Sequence, residues 1–120
     1  MAFRLGTARV TVPTEAAWLD QIIGTTPGRE GVAVRFGWES VHFRSARTAY
    51  GWRTPVQGSM GKGWPDLVLV RPPRIIFAEC KVTTKLRPEQ QAVLDLLRDC
   101  GAEVYVWRPE DFDEVARLLR

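Results

Sequence analysis

Two four-residue apolar runs, Leu67 to Val70 and Ile75 to Ala78, flank the segment Arg71-Pro72-Pro73-Arg74, and this arrangement constrains the fold more than any other feature of the chain. Short apolar runs bounded by a proline turn read as the two strands of an antiparallel hairpin. Both faces of these strands are apolar-rich, so they belong in the interior of a sheet and not at its edge. If the loop is symmetric about Pro72-Pro73, Val70 faces Ile75, and counting back sets Asp66 opposite Glu79. Opposed residues in such a pair have Cβ atoms about 4.5–5.5 Å apart. Glu79 and Lys81 are two apart and share a face, while Cys80 points the other way with Ile76, Ala78 and Val82. Two carboxylates facing each other among apolar neighbours repel unless a cation lies between them. Lys81 can neutralise one of them, and two carboxylates with waters are also the oxygen set that Mg²⁺ prefers. Singly, Asp66 reads as well as a turn residue after Gly63-Trp64-Pro65, and Glu79 and Lys81 as a solvated edge. Their joint placement by register is what argues for a site.

The rest of the chain supplies the elements around this hairpin. Residues 1–13 are short, mixed and end at Pro13, which predicts an extended or partly frayed segment. Thr14 can cap a helix through Trp18, Leu19, Ile22 and Ile23 that ends at Gly24. Glu30 to Phe36 predicts a second short helix stopped by Gly37, and Trp38 to Arg44 a strand. Residues 45–65 hold four Gly, two Pro and no clear period, which predicts a long loop. Pro88 opens a helix with Val93, Leu94, Leu97 and Cys100 on one face, closed by Gly101. Glu103 to Trp107 reads as a strand. Pro109 to Leu119 reads as a last helix with Phe112, Val115, Ala116 and Leu119 inward. The order predicts a mixed sheet with helices packed on it, an α/β or α+β domain spanning 1–120.

Composition excludes several classes. With 45% hydrophobic and 26% charged residues, the 120-residue chain is not disordered. No apolar run approaches the ~20 residues of a membrane span, and the start shows no signal-peptide pattern, so a cytoplasmic protein is expected. Cys80 and Cys100 are too few and too far apart for a zinc site or redox pair, and a disulfide between them is not expected in the cytosol. His42 is the single histidine, which argues against imidazole-metal and Ser-His-Asp chemistry. Carboxylates and lysine are left to carry any catalysis. The net charge is +3, and the basic residues are fourteen Arg and only Lys62, Lys81 and Lys85. That excess fits either phosphate recognition or a GC-rich genome.

Gly63-Trp64-Pro65-Asp66-Leu67-Val68-Leu69-Val70, then Glu79-Cys80-Lys81, then Pro88-Glu89-Gln90, resemble the motifs of a PD-(D/E)XK nuclease of the VRR-NUC type. The resemblance continues through Gly101-Ala102-Glu103-Val104-Tyr105-Val106-Trp107-Arg108-Pro109 and covers roughly residues 14–119. It implies a restriction-endonuclease-like α/β core: a central mixed four-stranded sheet flanked by helices, in the order αβββαβ with a C-terminal helix. The small stand-alone members are phage and bacterial proteins akin to Holliday-junction resolvases. The resemblance assigns Asp66 and Glu79 as metal-binding carboxylates and the Cys80 backbone carbonyl as a further ligand. It assigns Lys81 to orient the attacking water and offset phosphate charge, and Gln90 to support the site from the next helix. A larger aliphatic residue or Val is more usual at the Cys80 position. Glu15, beside the apolar face of the first helix, either serves the helix dipole or, as the resemblance favours, reaches the metal. Gln90 precedes Val93 and Leu94 by three and four residues, which turns it toward the sheet; it is otherwise an ordinary first-turn polar residue.

Between Glu39 and Asp66 there is no acidic residue, yet His42, Arg44, Arg47, Arg53 and Lys62 fall there, interleaved with Tyr50, Trp52 and Trp64. Cations attract phosphates and aromatic faces stack on splayed bases, so this stretch and Lys85 are the expected DNA-binding surface. Trp52 and Trp64 can equally pin the loop to the core, and His42 reads better as a packed strand residue than as a catalyst. The expected reaction is Mg²⁺-dependent hydrolysis of a DNA phosphodiester, with Mn²⁺ able to substitute. Branched DNA is the leading substrate, and a homodimer would cut both strands symmetrically. The alternative is a catalytically silent DNA-binding or regulatory module on the same fold.

Overall fold

The first helix begins where the Thr14 hydroxyl accepts the backbone N–H of Ala17 at 3.1 Å, one of the donors a helix start leaves unpaired. In the computed structural model, residues 2–5, 8–43, 46–49, 51–53 and 56–120 are described, with side chains for 12–43, 49 and 56–120. The elements are β1 (Ala2–Leu5), β2 (Ala8–Thr11), α1 (Glu15–Ile23), α2 (Val32–Arg35), β3 (Glu39–His42), β4 (Ala46–Thr48), β5 (Gly51–Arg53), β6 (Leu67–Arg71), β7 (Arg74–Cys80), α3 (Pro88–Asp99), β8 (Glu103–Trp107) and α4 (Phe112–Leu119). Single 3₁₀ turns at Gly61–Gly63 and Pro109–Asp111 precede β6 and α4.

The central sheet is mixed and four-stranded, in the order β3-β6-β7-β8. β3 and β7 run antiparallel to β6, and β8 runs parallel to β7. β6 and β7 therefore occupy the two inner places, as their doubly apolar faces require. Their register pairs Val70 with Ile75 and Leu67 with Ala78, the symmetric hairpin anticipated from the sequence. α1, α2 and α4 cover one face. Trp18, Leu19, Ile22, Val32, Val115 and Leu119 are buried there against Leu67, Leu69, Ile76, Ala78 and Cys80. α3 lies on the other face, the one to which Glu79 points, and buries Gln90, Val93 and Leu94.

Two buried indoles are paired. The Trp18 indole donates to the Trp107 carbonyl at 3.0 Å and the Trp38 indole to the Leu119 carbonyl at 2.8 Å. At the hairpin tip, Arg71 and Arg74 lie over the Trp38 ring and donate to Leu119 and Leu118 carbonyls, satisfying the open end of α4.

Residues 2–5 and 8–11 are extended, as expected, and pair as strands, Ala2 against Thr11 through Leu5 against Ala8. Two expectations need correction. The stretch 45–65 is not all loop. β4 and β5 pair within it, and the Gly61–Gly63 turn closes it. Cys100 does not extend the buried face of α3, which ends at Asp99. Gly101, at φ +83°, then reverses the chain and leaves Cys100 exposed.

Candidate active site

The site forms where the antiparallel hairpin opens. Asp66 sits one residue before the first pair of β6, and its carbonyl still accepts the Phe43 N–H at 2.8 Å. Its Oδ1 accepts the backbone N–H of Cys80 at 3.2 Å, which ties the aspartate across to the end of β7. Glu79 stands in β7 at 3% exposure. One of its oxygens is well supported: Oε1 accepts the Gln90 amide at 3.1 Å and faces the Lys81 ammonium at 3.8 Å. The other, Oε2, is buried without a hydrogen-bond partner. A buried polar atom left in that state costs free energy unless something outside the chain completes it.

Gln90 is oriented from both ends. Its Oε1 accepts the Arg87 backbone N–H at 2.9 Å, a donor that the start of α3 would otherwise leave open. That bond fixes the amide so that its NH₂ must turn to Glu79. Lys81 is held through its own backbone N–H, which donates to the Trp107 carbonyl at 3.0 Å, so β8 positions the lysine.

The electrostatics follow from this packing. Burial, and next the Glu79 charge, pushes the Asp66 carboxyl up to about 8. Burial likewise pushes Glu79 up to about 7, against the pull of Lys81 and Arg87. Both carboxyls thus resist carrying charge together until a cation joins them. With the unpartnered Glu79 Oε2, they make a donor set that fits a hard divalent cation.

The surrounding cleft measures about 700 Å³. Its floor is Asp66, Glu79 and Lys81. Along one side runs α1 with Glu15, Ala16, Leu19, Asp20 and Ile23, joined by His42. On the other lie Lys62, Trp64, Arg87 and Gln90. The structure therefore brings Asp66, Glu79, Lys81, Gln90, Glu15, Lys62 and Trp64 to one place. The Cys80 side chain is buried in the core behind the site, and burial pushes its thiol well up; its backbone N–H is what reaches Asp66. Glu15 lines the cleft. Among the described residues, however, no three His, Cys, Asp or Glu side chains are gathered closely enough to cage a metal ion by themselves. Lys85 is exposed and does not line the cleft. Arg44 and the side chains of Arg47, Trp52 and Arg53 lie outside the described residues.

Trp64 contacts Phe43 and Phe77 edge to face, so it packs beside Asp66 while lining the cleft. Arg87 and Asp20 are cleft residues that the sequence did not single out for the site, and His42, placed in the basic stretch, lines the cleft as well. For Asp20 a signal existed. Residues 15, 16, 19, 20 and 23 form a helical stripe, and the acid lies on it one turn beyond Ala16.

The family model for the VRR-NUC domain, a PD-(D/E)XK nuclease family, matches residues 15–110. No curated protein matches the chain. No helix among the described residues is long and apolar enough to cross a membrane.

Proposed function

The chain belongs to the VRR-NUC family of PD-(D/E)XK nucleases, and we propose that it is a divalent-metal-dependent DNA endonuclease acting on branched DNA. The observation that carries this reading is the half-buried Asp66 beside the buried Glu79, whose Oε2 lacks a hydrogen-bond partner, in a cleft open to a polymer. PD-(D/E)XK nucleases typically use divalent metals, and here Asp66 and Glu79, with the Cys80 carbonyl, are the residues that would hold one. Bound there, a divalent cation supplies Lewis acidity toward a phosphate oxygen and acidifies water.

The chain's own groups account for the remaining work. Gln90 fixes which Glu79 oxygen is left without a partner, because its amide occupies Oε1. Lys81, 11% exposed and held by β8, presents an ammonium at the floor that orients the attacking water and stabilises charge growing on the phosphate. Lys62 on the cleft side draws the DNA backbone in. Arg44, Arg47, Arg53, Trp52 and Lys85 extend that surface, Trp64 stacks at the cleft, and Glu15 holds water around the metal. One domain carries one such site, so symmetrical cutting of a junction calls for a homodimer.

The test uses fluorescent linear, flap and four-way-junction DNA with Mg²⁺, Mn²⁺ or EDTA, beside Asp66→Ala and Lys81→Ala. Metal-dependent cleavage that falls by roughly 10²-fold or more in both variants is the expected outcome. Salt-sensitive binding without cleavage by the wild type would instead support a silent DNA-binding module. Equal cleavage of all three substrates would remove the branched-DNA part, and a monomer in light scattering would remove the paired-cut part.

A further inference from the structure

The two sides of the cleft carry opposite charge. Glu15 and Asp20 project from α1, on one face of the sheet, whereas Lys62 and Arg87 stand at the 3₁₀ turn and the start of α3, on the other. Lys62 and Arg87 are also the cleft cations without an acid. Lys81 pairs with Glu79, but among the described residues neither of these two forms an ion pair. Both are exposed.

They are also fixed to each other. The Arg87 guanidinium donates from Nη2 to the Lys62 carbonyl at 3.1 Å, which uses one of its five donors. Behind them the turn seats so tightly on α3 that a Cβ on Gly63 would lie 2.0 Å from the Glu89 carbonyl oxygen. The backbone of Arg87 is pinned in turn by Gln90, the residue that supports Glu79. A planar guanidinium with donors to spare beside a flexible ammonium, both on one rigid support, suits a phosphate oxygen.

We propose that Arg87 and Lys62 form a binding site for the phosphate next to the one being cut, so that the scissile strand runs along the α3 side of the cleft and is turned away from α1. This rests on the nuclease reading, and it adds the strand's path and a substrate-binding role for Arg87. Arg87 reaches the reaction by two routes. It binds the neighbouring phosphate, and through its backbone N–H it holds Gln90 in place. The charge of Arg87 is felt at Glu79, consistent with its standing close to the floor.

Cleavage by the wild type is measured first and tests the nuclease reading by itself. The inference is then tested with DNA substrates carrying a single methylphosphonate, which removes one phosphate charge, at successive positions around the cut. Dissociation constants are read by fluorescence anisotropy with Ca²⁺ for the wild type, Lys62→Ala and Arg87→Ala. At one phosphate adjoining the cut, the methylphosphonate is expected to weaken wild-type binding roughly tenfold and to add little in either variant. Each variant should also lower the salt slope by about one. Lys62→Ala removes an exposed side chain and keeps the test valid should Arg87→Ala fold poorly. Losses that add independently at every position, or coupling confined to the scissile phosphate, would overturn the proposal even where cleavage itself is robust.

Discussion

Replacing Asp66 with Asn should stabilise the metal-free protein at pH 8 and change it little at pH 5. The sign follows from the direction of the shifts. Asp66 and Glu79 are raised in the folded state, to about 8 and about 7, above their ordinary values of 3.8 and 4.5. Between those limits the folded chain binds more protons than the unfolded one, so stability falls as pH rises. The stability tied to this pair is fully present below about pH 4 and is lost as pH climbs through 7 to 8. Glu103 works the other way, because Arg74 lowers its carboxyl, and its contribution disappears only on the acid side of 4.5. The window from pH 5 to 8 therefore excludes Glu103, and the His42 imidazole, common to both proteins, drops out of their difference.

The magnitude comes from the register. Opposed residues have Cβ atoms about 5 Å apart, and two carboxylates held at about that spacing would repel by about 3 kcal/mol at an effective dielectric constant near 20. Lys81, 3.8 Å from one Glu79 oxygen, offsets part of that, which leaves roughly 2 kcal/mol for Asp66→Asn to relieve. Asn keeps an oxygen for the Cys80 N–H, so the tie across the hairpin survives. For a chain of this length, about 2 kcal/mol corresponds to roughly 6–10 °C in Tm. Thermal melts in EDTA from pH 5 to 8 provide the measurement, and comparing the two proteins at each pH cancels contributions they share. Mg²⁺ at pH 8 should raise the wild-type Tm and move the variant far less. A wild-type Tm that stays level or climbs between pH 5 and 8, or a variant no more stable than wild type at pH 8, would refute the reasoning.

Two further outcomes are expected. Gln90→Leu should cost about 1–2 kcal/mol in denaturant melts, because the Arg87 N–H loses its acceptor at the start of α3; turnover should fall at least as much as stability, since Glu79 loses the amide that orients it. Gly63→Ala should cost about 1–3 kcal/mol, since the added methyl meets the Glu89 carbonyl oxygen and must push the Lys62 turn off α3. Its DNA affinity should fall toward that of Lys62→Ala, and an unchanged affinity and Tm would show that the turn has room.

The sheet was legible because its signals are local and agree with each other. Apolar runs on both sides of a proline turn set the β6–β7 register, and Thr14, Gly37, Pro88 and Gly101 mark element ends through capping and turn chemistry. That register alone brought Asp66 toward Glu79. β4 and β5 were not legible. Three residues each, Ala46–Thr48 and Gly51–Arg53, are too few to show a period, and Gly51 lowers the strand signal further. Arg87 was invisible for a different reason. Its place at the cleft depends on how α3 seats against the Gly61–Gly63 turn, a tertiary contact spanning 25 residues that no local pattern encodes. Cys100 matches the helical period of the apolar face of α3 but lies one residue past its end, where the period no longer sets which way a side chain faces.

The charge around the cleft shows why the basic bias of the chain is a poor guide to its chemistry. Four carboxylates, Glu15, Asp20, Asp66 and Glu79, line it against three cations, Lys62, Lys81 and Arg87. With all four carboxyls ionised, which for Asp66 and Glu79 means above about pH 8, a phosphodiester brought to that floor meets a net negative surface despite the chain's overall +3. Lys81 cannot reverse this by itself, because at 3.8 Å from Glu79 Oε1 its charge is already shared with a carboxylate. Gln90 orients Glu79 but is neutral. One divalent cation between Asp66 and Glu79 would turn the balance from one negative charge to one positive and give Glu79 Oε2 its missing partner. The same ion would offset the burial that holds both carboxyls above their ordinary range, and the Glu79 charge that adds to it at Asp66. Metal and DNA should then bind cooperatively, each lowering the cost of the other's charge at the floor. The expected reading is tighter DNA binding in Ca²⁺ than in EDTA for the wild type, with that difference lost in Asp66→Asn. Equal affinity in both conditions would mean that the carboxylates do not govern access of DNA to the cleft.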